Sequence, residues 1–214
     1  AAQYGRLVVG DNGALDAIVE YRDATPEQRD IPICNAGIMA VDGKHLFDLL
    51  DAVGNDNAKE EYYLTDIVAI ARGKGLSCAV TEVKDEREVM GVNARAELAI
   101  AESIMQERLR DAAMAAGATL TDPGTVYFSF DTILGRDVTV GPNVVFGPGV
   151  SVGDNVEIRA FCHFEGAEIA GGAVIGPFAR LRPGARIGVD AHIGNFVEIK
   201  EAVIETGAKV NHLS

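Results

Sequence analysis

The sequence predicts an α/β portion followed by an all-β portion, the second a parallel β-helix, and three observations carry that prediction. Short β-rich runs alternate with amphipathic helical patterns over the first ninety residues, a stretch rich in strong helix formers follows, and from Leu134 the apolar residues recur every six positions. The chain has 214 residues, enough for one large or two small domains. Apolar types make up 48% and charged types 24%, the balance of a folded globular protein.

In the first portion, Arg6 to Val9, the turn-forming Gly10-Asp11-Asn12-Gly13, and Ala14 to Tyr21 have the form of a hairpin. The run from Ile33 to Val41, with Gly37 inside it, reads as a strand that is either buried on both faces or open to close approach at its backbone. His45–Val53 and Leu64–Arg72 space their apolar residues as amphipathic helices do, and Thr65-Asp66 offer cap chemistry to the second. Together these predict the back half of an α/β domain over residues 1–91, with the front half upstream.

Residues 92–117 predict one long helix, closed by Gly117, that links two domains. Leu98, Ala101, Met105 and Leu109 recur at helical spacing and read as packing positions.

Residues 118–214 carry the six-residue period. Leu134, Val140, Phe146, Val152, Ile158 and Phe164 are evenly spaced; after one step of five, Ile169, Ile175, Leu181, Ile187, Ile193 and Ile199 continue the series. Four residues after Leu134 through Ile158 stand Val138 through Cys162, and four after Ile169 through Ile199 stand Ala173 through Val203, all apolar. A hexapeptide period is the signature of a parallel β-helix whose terminal coils need caps. The chain stops inside the pattern and opens without methionine, so it reads as a piece of a longer protein.

Lys plus Arg number 19 against 32 Asp plus Glu, a net charge of −13, which repels nucleic acid and anionic lipid. There is neither a bilayer-spanning apolar run nor a signal peptide, so the expected location is the cytoplasm. Cys34, Cys78 and Cys162 are few, scattered and set among apolar residues, which predicts reduced core thiols. His45, His163 and His192 read as surface or packing residues, and Tyr62 and Tyr63 as packing residues.

Longer peptides narrow the reading: Tyr4-Gly5-Arg6, Ile18-Val19-Glu20, Asn35-Ala36-Gly37-Ile38-Met39, Glu61-Tyr62-Tyr63-Leu64-Thr65-Asp66, Gly91-Val92-Asn93, Gly176 to Gly184, Gly194-Asn195-Phe196-Val197-Glu198 and His212-Leu213. From Tyr4 to Ser214 the chain resembles the bacterial bifunctional N-acetylglucosamine-1-phosphate uridyltransferases/glucosamine-1-phosphate acetyltransferases. The resemblance implies the C-terminal half of a Rossmann-like nucleotidyltransferase domain, a linker helix and a left-handed β-helix acetyltransferase domain. It implies acetylation of glucosamine 1-phosphate by acetyl-CoA, then uridyl transfer from UTP to N-acetylglucosamine 1-phosphate with Mg²⁺, giving UDP-N-acetylglucosamine for peptidoglycan and lipopolysaccharide. The assembly implied is a homotrimer.

By the same resemblance, Gly5, Glu20 and Asn35 hold the sugar nucleotide, and Asn93 helps hold Mg²⁺ and the nucleotide. Arg182 and Lys200 bind the sugar phosphate, and His212 is the general base. The residue types suit those tasks: Gly admits the sugar to the backbone, carboxylate and amide bind hydroxyls, and imidazole titrates near neutrality. Arg182 and Lys200 are 18 residues apart, three six-residue units, so they stack on one face in adjacent coils if no insertion intervenes. The glycine-rich phosphate loop, its lysine, a metal-binding aspartate, a tyrosine after the histidine and the acetyl-CoA contacts are implied outside this chain, so the chain alone is expected to be inactive. Two other readings share these features: a different sugar-nucleotide pyrophosphorylase with a β-helix used only for assembly, and a non-catalytic trimerisation module.

Overall fold

The computed structural model describes residues 4–214, which divide into two compact units meeting between Asn93 and Ala94. In the first unit, β1 (Arg6–Val9) and β2 (Leu15–Val19) form the expected antiparallel hairpin. Its turn closes where the Gly10 N–H donates to Ala14 O at 2.9 Å and Gly13 adopts φ 77°. Behind it lies α1 (Pro26–Arg29), a single turn with a Thr25/Gln28 capping box. Next come α2 (Gly43–Leu50), begun by the Asp42 carboxylate accepting from the Lys44 N–H, and α3 (Ile67–Gly73). Leu7, Leu15, Ile18 and Val68 bury one cluster; Leu49, Ile67 and Ala71 bury a second.

Two expectations fail in this unit. Ile33–Val41 is not a buried strand: Cys34 alone bridges to Arg6, and Ile38 is 73% exposed. The cause is local, because Asn35 Oδ1 accepts from the Gly37 N–H at 3.1 Å and Gly37 turns at φ 78°, which bends the chain off the hairpin. Thr65 and Asp66 do not cap α3 through their side chains; Asp66 is already helical, and the Thr65 hydroxyl donates instead to Glu20 Oε1 at 3.1 Å. Among the described residues the unit's sheet has two strands.

The second unit begins with α4 (Arg95–Ala115), which ends as Gly117 takes φ 107° and the Gly117 and Ala118 N–H groups return to Met114 and Ala113 O. Only its second half packs as foreseen. Leu109 and Ala113 lie on the solenoid core, whereas Leu98 and Met105 are 58% and 46% exposed. Gln106 is buried, its Nε2 donating to Phe128 O at 2.7 Å and its Oε1 accepting from the Phe128 N–H at 2.9 Å. One side-chain amide thereby satisfies both backbone groups of a residue in the first coil, as a neighbouring strand would.

From Thr119 to Val210 the chain winds as a parallel solenoid of two-residue strands forming three sheets. One face carries Tyr127–Phe128, Val145–Phe146, His163–Phe164, Arg180–Leu181 and Glu198–Ile199, paired in register from coil to coil. Of the twelve predicted large positions, eleven are buried and Leu134 is partly so. The positions four residues later are buried through Val197, but Val203 is 63% exposed. A second step of five lies here, since Ile187 pairs with Ile204 and Ala202 packs on the core in Val203's stead. A one-residue slip sends every side chain to the opposite face.

Glycine follows many of the strands because the next coil passes close. At Gly188 a Cβ would stand 2.7 Å from backbone atoms of Ile204, Glu205 and Thr206. At one corner Phe161, Phe178 and Phe196 all take positive φ and stack with centroids 4.9 and 5.0 Å apart, each about half exposed. Cys162 is buried as expected, whereas Cys34 and Cys78 are only half-buried, and Cys34 Sγ accepts from Arg6 Nη1 at 2.8 Å.

Candidate functional site

Two groups of side chains correspond to the positions singled out in the sequence, one in each unit. In the first, the hairpin and its flanking segment converge. Gly5 O accepts from the Asn35 N–H at 2.8 Å, which fixes Gly5 and Asn35 side by side. A Cβ on Gly5 would stand 3.2 Å from Ile18 Cγ2, a tight contact, and in ordinary contact with Glu20 Oε1 at 3.5 Å. Glu20 is held by the buried Thr65 hydroxyl. Asn35 Oδ1 accepts from the Gly37 N–H, and the side chain's Nδ2 is its donor group. The arrangement is a small polar cluster: the Gly5 backbone, a carboxylate held by a hydroxyl, and a side-chain amide. Thr65, which sequence reading had treated as a helix cap, belongs to it.

Asn93 is exposed, beside Gly91, whose Cβ position lies 3.8 Å from Asn93 Nδ2 and 3.4 Å from the Tyr4 hydroxyl. Nothing about it resembles a complete magnesium site. Among the described residues no three His, Cys, Asp or Glu side chains gather closely enough to hold a metal ion, and Mg²⁺ takes several hard oxygens. A single amide does not supply that set.

Asp66, nearby in sequence to Thr65, has its carboxyl raised above the usual carboxylate range by burial and by the negative charge of Asp23. Burial likewise raises the Tyr63 hydroxyl, aided by Asp23, Glu61 and Glu20.

In the second unit the register decides the geometry. Leu181 and Ile199 are paired, and the Arg182 N–H donates to Ile199 O at 2.8 Å. No insertion separates Arg182 from Lys200, so the two stand in one column in adjacent coils. Below them the same column holds Gly147 and Glu165, since Phe146, Phe164 and Leu181 pair in turn. Arg182 Nη1 contacts Glu198 Oε1 at 3.1 Å, and Lys200 Nζ lies 3.7 Å from Glu201 Oε1. Both cations are near half-exposed and able to meet an incoming anion.

His212 is exposed and stands apart from that column. The Leu213 N–H donates to Asn195 O and the Glu198 N–H to Ser214 O, so the coil carrying His212 lies against the corner that leads into Glu198–Ile199. The structure joins Arg182 to Lys200 and sets His212 across the width of one face from them, with Glu198 between. The sequence reading had passed over Glu198, although its place two residues before Lys200 on a two-faced strand puts both on the outside.

A solenoid of six-residue units is the architecture of the hexapeptide-repeat proteins, and the family model for the bacterial transferase hexapeptide (six repeats) matches residues 131–166. The chain is 64% identical over 211 residues to the "Bifunctional protein GlmU" of Paramagnetospirillum magneticum and 65% identical over 212 residues to that of Rhodospirillum rubrum. Each match covers 99% of this chain, and 46% and 47% of the respective relative. The chain belongs to the GlmU family and spans about half the length of the curated relatives it matches. Among solved structures, the acetyltransferase domain of PglB from Neisseria gonorrhoeae in complex with acetyl coenzyme A is 18% identical, with 51% of this chain and 63% of that chain covered and a TM-score of 0.27.

Proposed function

We propose that this chain forms part of an enzyme that acetylates glucosamine 1-phosphate with acetyl-CoA and transfers a uridyl group from UTP to the resulting N-acetylglucosamine 1-phosphate. The observation that carries the acetyl-transfer half is the stacking of Arg182 and Lys200 in one column of adjacent coils, which suits two cations to one phosphate. In this reading the solenoid is a left-handed β-helix that works as a homotrimer. His212 takes a proton from the 2-amino group as the amino nitrogen attacks the thioester carbonyl; the tetrahedral intermediate then collapses with cleavage of the C–S bond, and the departing CoA thiolate takes up the proton from His212.

For uridyl transfer, the first unit is the sugar-binding half of a Rossmann-like nucleotidyltransferase domain. Gly5, Glu20 and Asn35 hold the N-acetylglucosamine portion, supported by the oriented Asn35 amide and the Thr65-bound Glu20 carboxylate. Asn93 would be one oxygen ligand among the several that a nucleotide-bound Mg²⁺ takes, and the ion would supply charge that shields the phosphates from one another.

The decisive experiment is His212→Ala in the chain extended to the length of its relatives, with both products assayed. Acetyl transfer is expected to fall at least about a hundredfold, in line with loss of a general base, while uridyl transfer is unchanged. Acetyl transfer that persists removes His212 from the base role.

A further inference from the structure

Neighbouring coils of a parallel solenoid lie about 4.8 Å apart, so Arg182 and Lys200 in one column repel unless counter-charges stand close. Each has one, and the two differ. Glu201 is next to Lys200 in sequence and its side chain is 75% exposed. Glu198 reaches Arg182 from the adjacent coil, on the strand paired in register with Arg180–Leu181. Glu198 and Lys200 flank the inward-facing Ile199, so both project outward from one strand. The recorded contact engages the guanidinium through Nη1, which leaves the edge formed by Nε and Nη2 for a bidentate oxyanion. The pair is 38% and 52% exposed, weak enough to be exchanged by a better-matched ligand.

We propose that Glu198 is a specificity-determining residue that exchanges partners with the substrate. The phosphate of a 1-phosphorylated amino sugar takes Arg182 from Glu198, and the released carboxylate receives the sugar's ammonium. The inference rests on the acetyl-transfer reading and goes beyond it. A zwitterionic sugar phosphate replaces one ion pair by two and strands no charge. A sugar phosphate without an ammonium leaves Glu198 beside the bound phosphate with no cation of its own. Acetylation turns the ammonium into a neutral amide; Glu198 then recaptures Arg182 and the product is released.

The test uses calorimetric affinities for glucosamine 1-phosphate, N-acetylglucosamine 1-phosphate and inorganic phosphate. They are measured on the chain extended to the length of its relatives and on its Glu198→Gln and Arg182→Ala variants. The parent protein is expected to prefer the amino sugar phosphate over the acetylated one. Glu198→Gln is expected to shrink that preference about fivefold and to bind inorganic phosphate at least as tightly as the parent, because a competing carboxylate is gone. A preference that Glu198→Gln leaves intact, a parent with no such preference, or weaker phosphate binding in Glu198→Gln overturns the exchange while the acetyl-transfer reading stands. If Arg182→Ala weakens none of the three ligands, the phosphate clamp is wrong and both readings fall. Gln is isosteric with Glu and the side chain is half-exposed, so folding is retained; a matched circular dichroism spectrum checks this.

Discussion

Gly188 shows how much one residue decides in this solenoid. A methyl group there would stand 2.7 Å from three backbone atoms of the next coil, and backbone cannot move aside as a flexible side chain can. Gly188→Ala is therefore expected to cost about 2–3 kcal/mol, read as a lowered urea midpoint. The same position after a strand holds Gly147 on the face that goes on to carry Glu165, Arg182 and Lys200. Replacement of glycine by long charged residues is a departure from that structural pattern, seen once the coils are in register. Cys162 gives a second prediction at this scale. Burial pushes its thiol up to about 11, against about 8.5 for an exposed thiol. The neutral thiol is thus favoured in the folded state. Its contribution is complete below the unfolded value and is lost as pH rises from there through about 11. Urea midpoints are expected to fall across that window by more than those of Cys162→Ser, and the native thiol should resist alkylation near neutral pH.

At the scale of elements, α4 is more than a connector. Its Gln106 amide pairs with both backbone groups of Phe128, and Arg110 Nη1 donates to Val126 O at 3.3 Å. A first coil has strand neighbours on one side only, and the helix supplies hydrogen bonds on the other. Gln106→Ala leaves a buried N–H and C=O without partners. An expected cost of about 2–4 kcal/mol follows from roughly 1–3 kcal/mol for each orphaned group, reduced where water reaches. Faster amide exchange at Phe128 would identify the lost pairing as the cause. The six-residue period could not reveal this, because a helix-to-coil hydrogen bond leaves no periodic trace. Nor could the period place the second five-residue step: after Ile199 both Val203 and Ile204 are apolar, and only coil-to-coil pairing selects Ile204 as the inward residue. In the first unit, a run of apolar residues at 33–41 looked like a strand, yet the Asn35–Gly37 turn overrode propensity.

For the molecule as a whole, the core clusters do not mix. Residues from Leu120 to Ile199 bury one continuous column, while the clusters around Leu7 and Leu49 are built from the first unit alone. A polypeptide of residues 94–214 is therefore expected to keep a cooperative thermal transition and a β-type circular dichroism spectrum. Its failure to fold would mean that the solenoid depends on the first unit. Among the described residues no helix is long and apolar enough to cross a membrane.

Sequence by itself determined the solenoid, the helix before it, the hairpin and the register that sets Lys200 in the coil next to Arg182, because a side-chain period and an 18-residue separation are properties of the chain. Tertiary structure decided what crosses between coils and segments: Thr65 holding Glu20, Gln106 completing Phe128, Glu198 engaging Arg182, and His212 standing across the face from both cations. The contacts of Thr65, Gln106 and Glu198 join residues between 16 and 45 positions apart with no repeating interval of their own, except where the coil repeat brings them together, and hydrogen-bond partners at such distances are selected by packing rather than by local pattern.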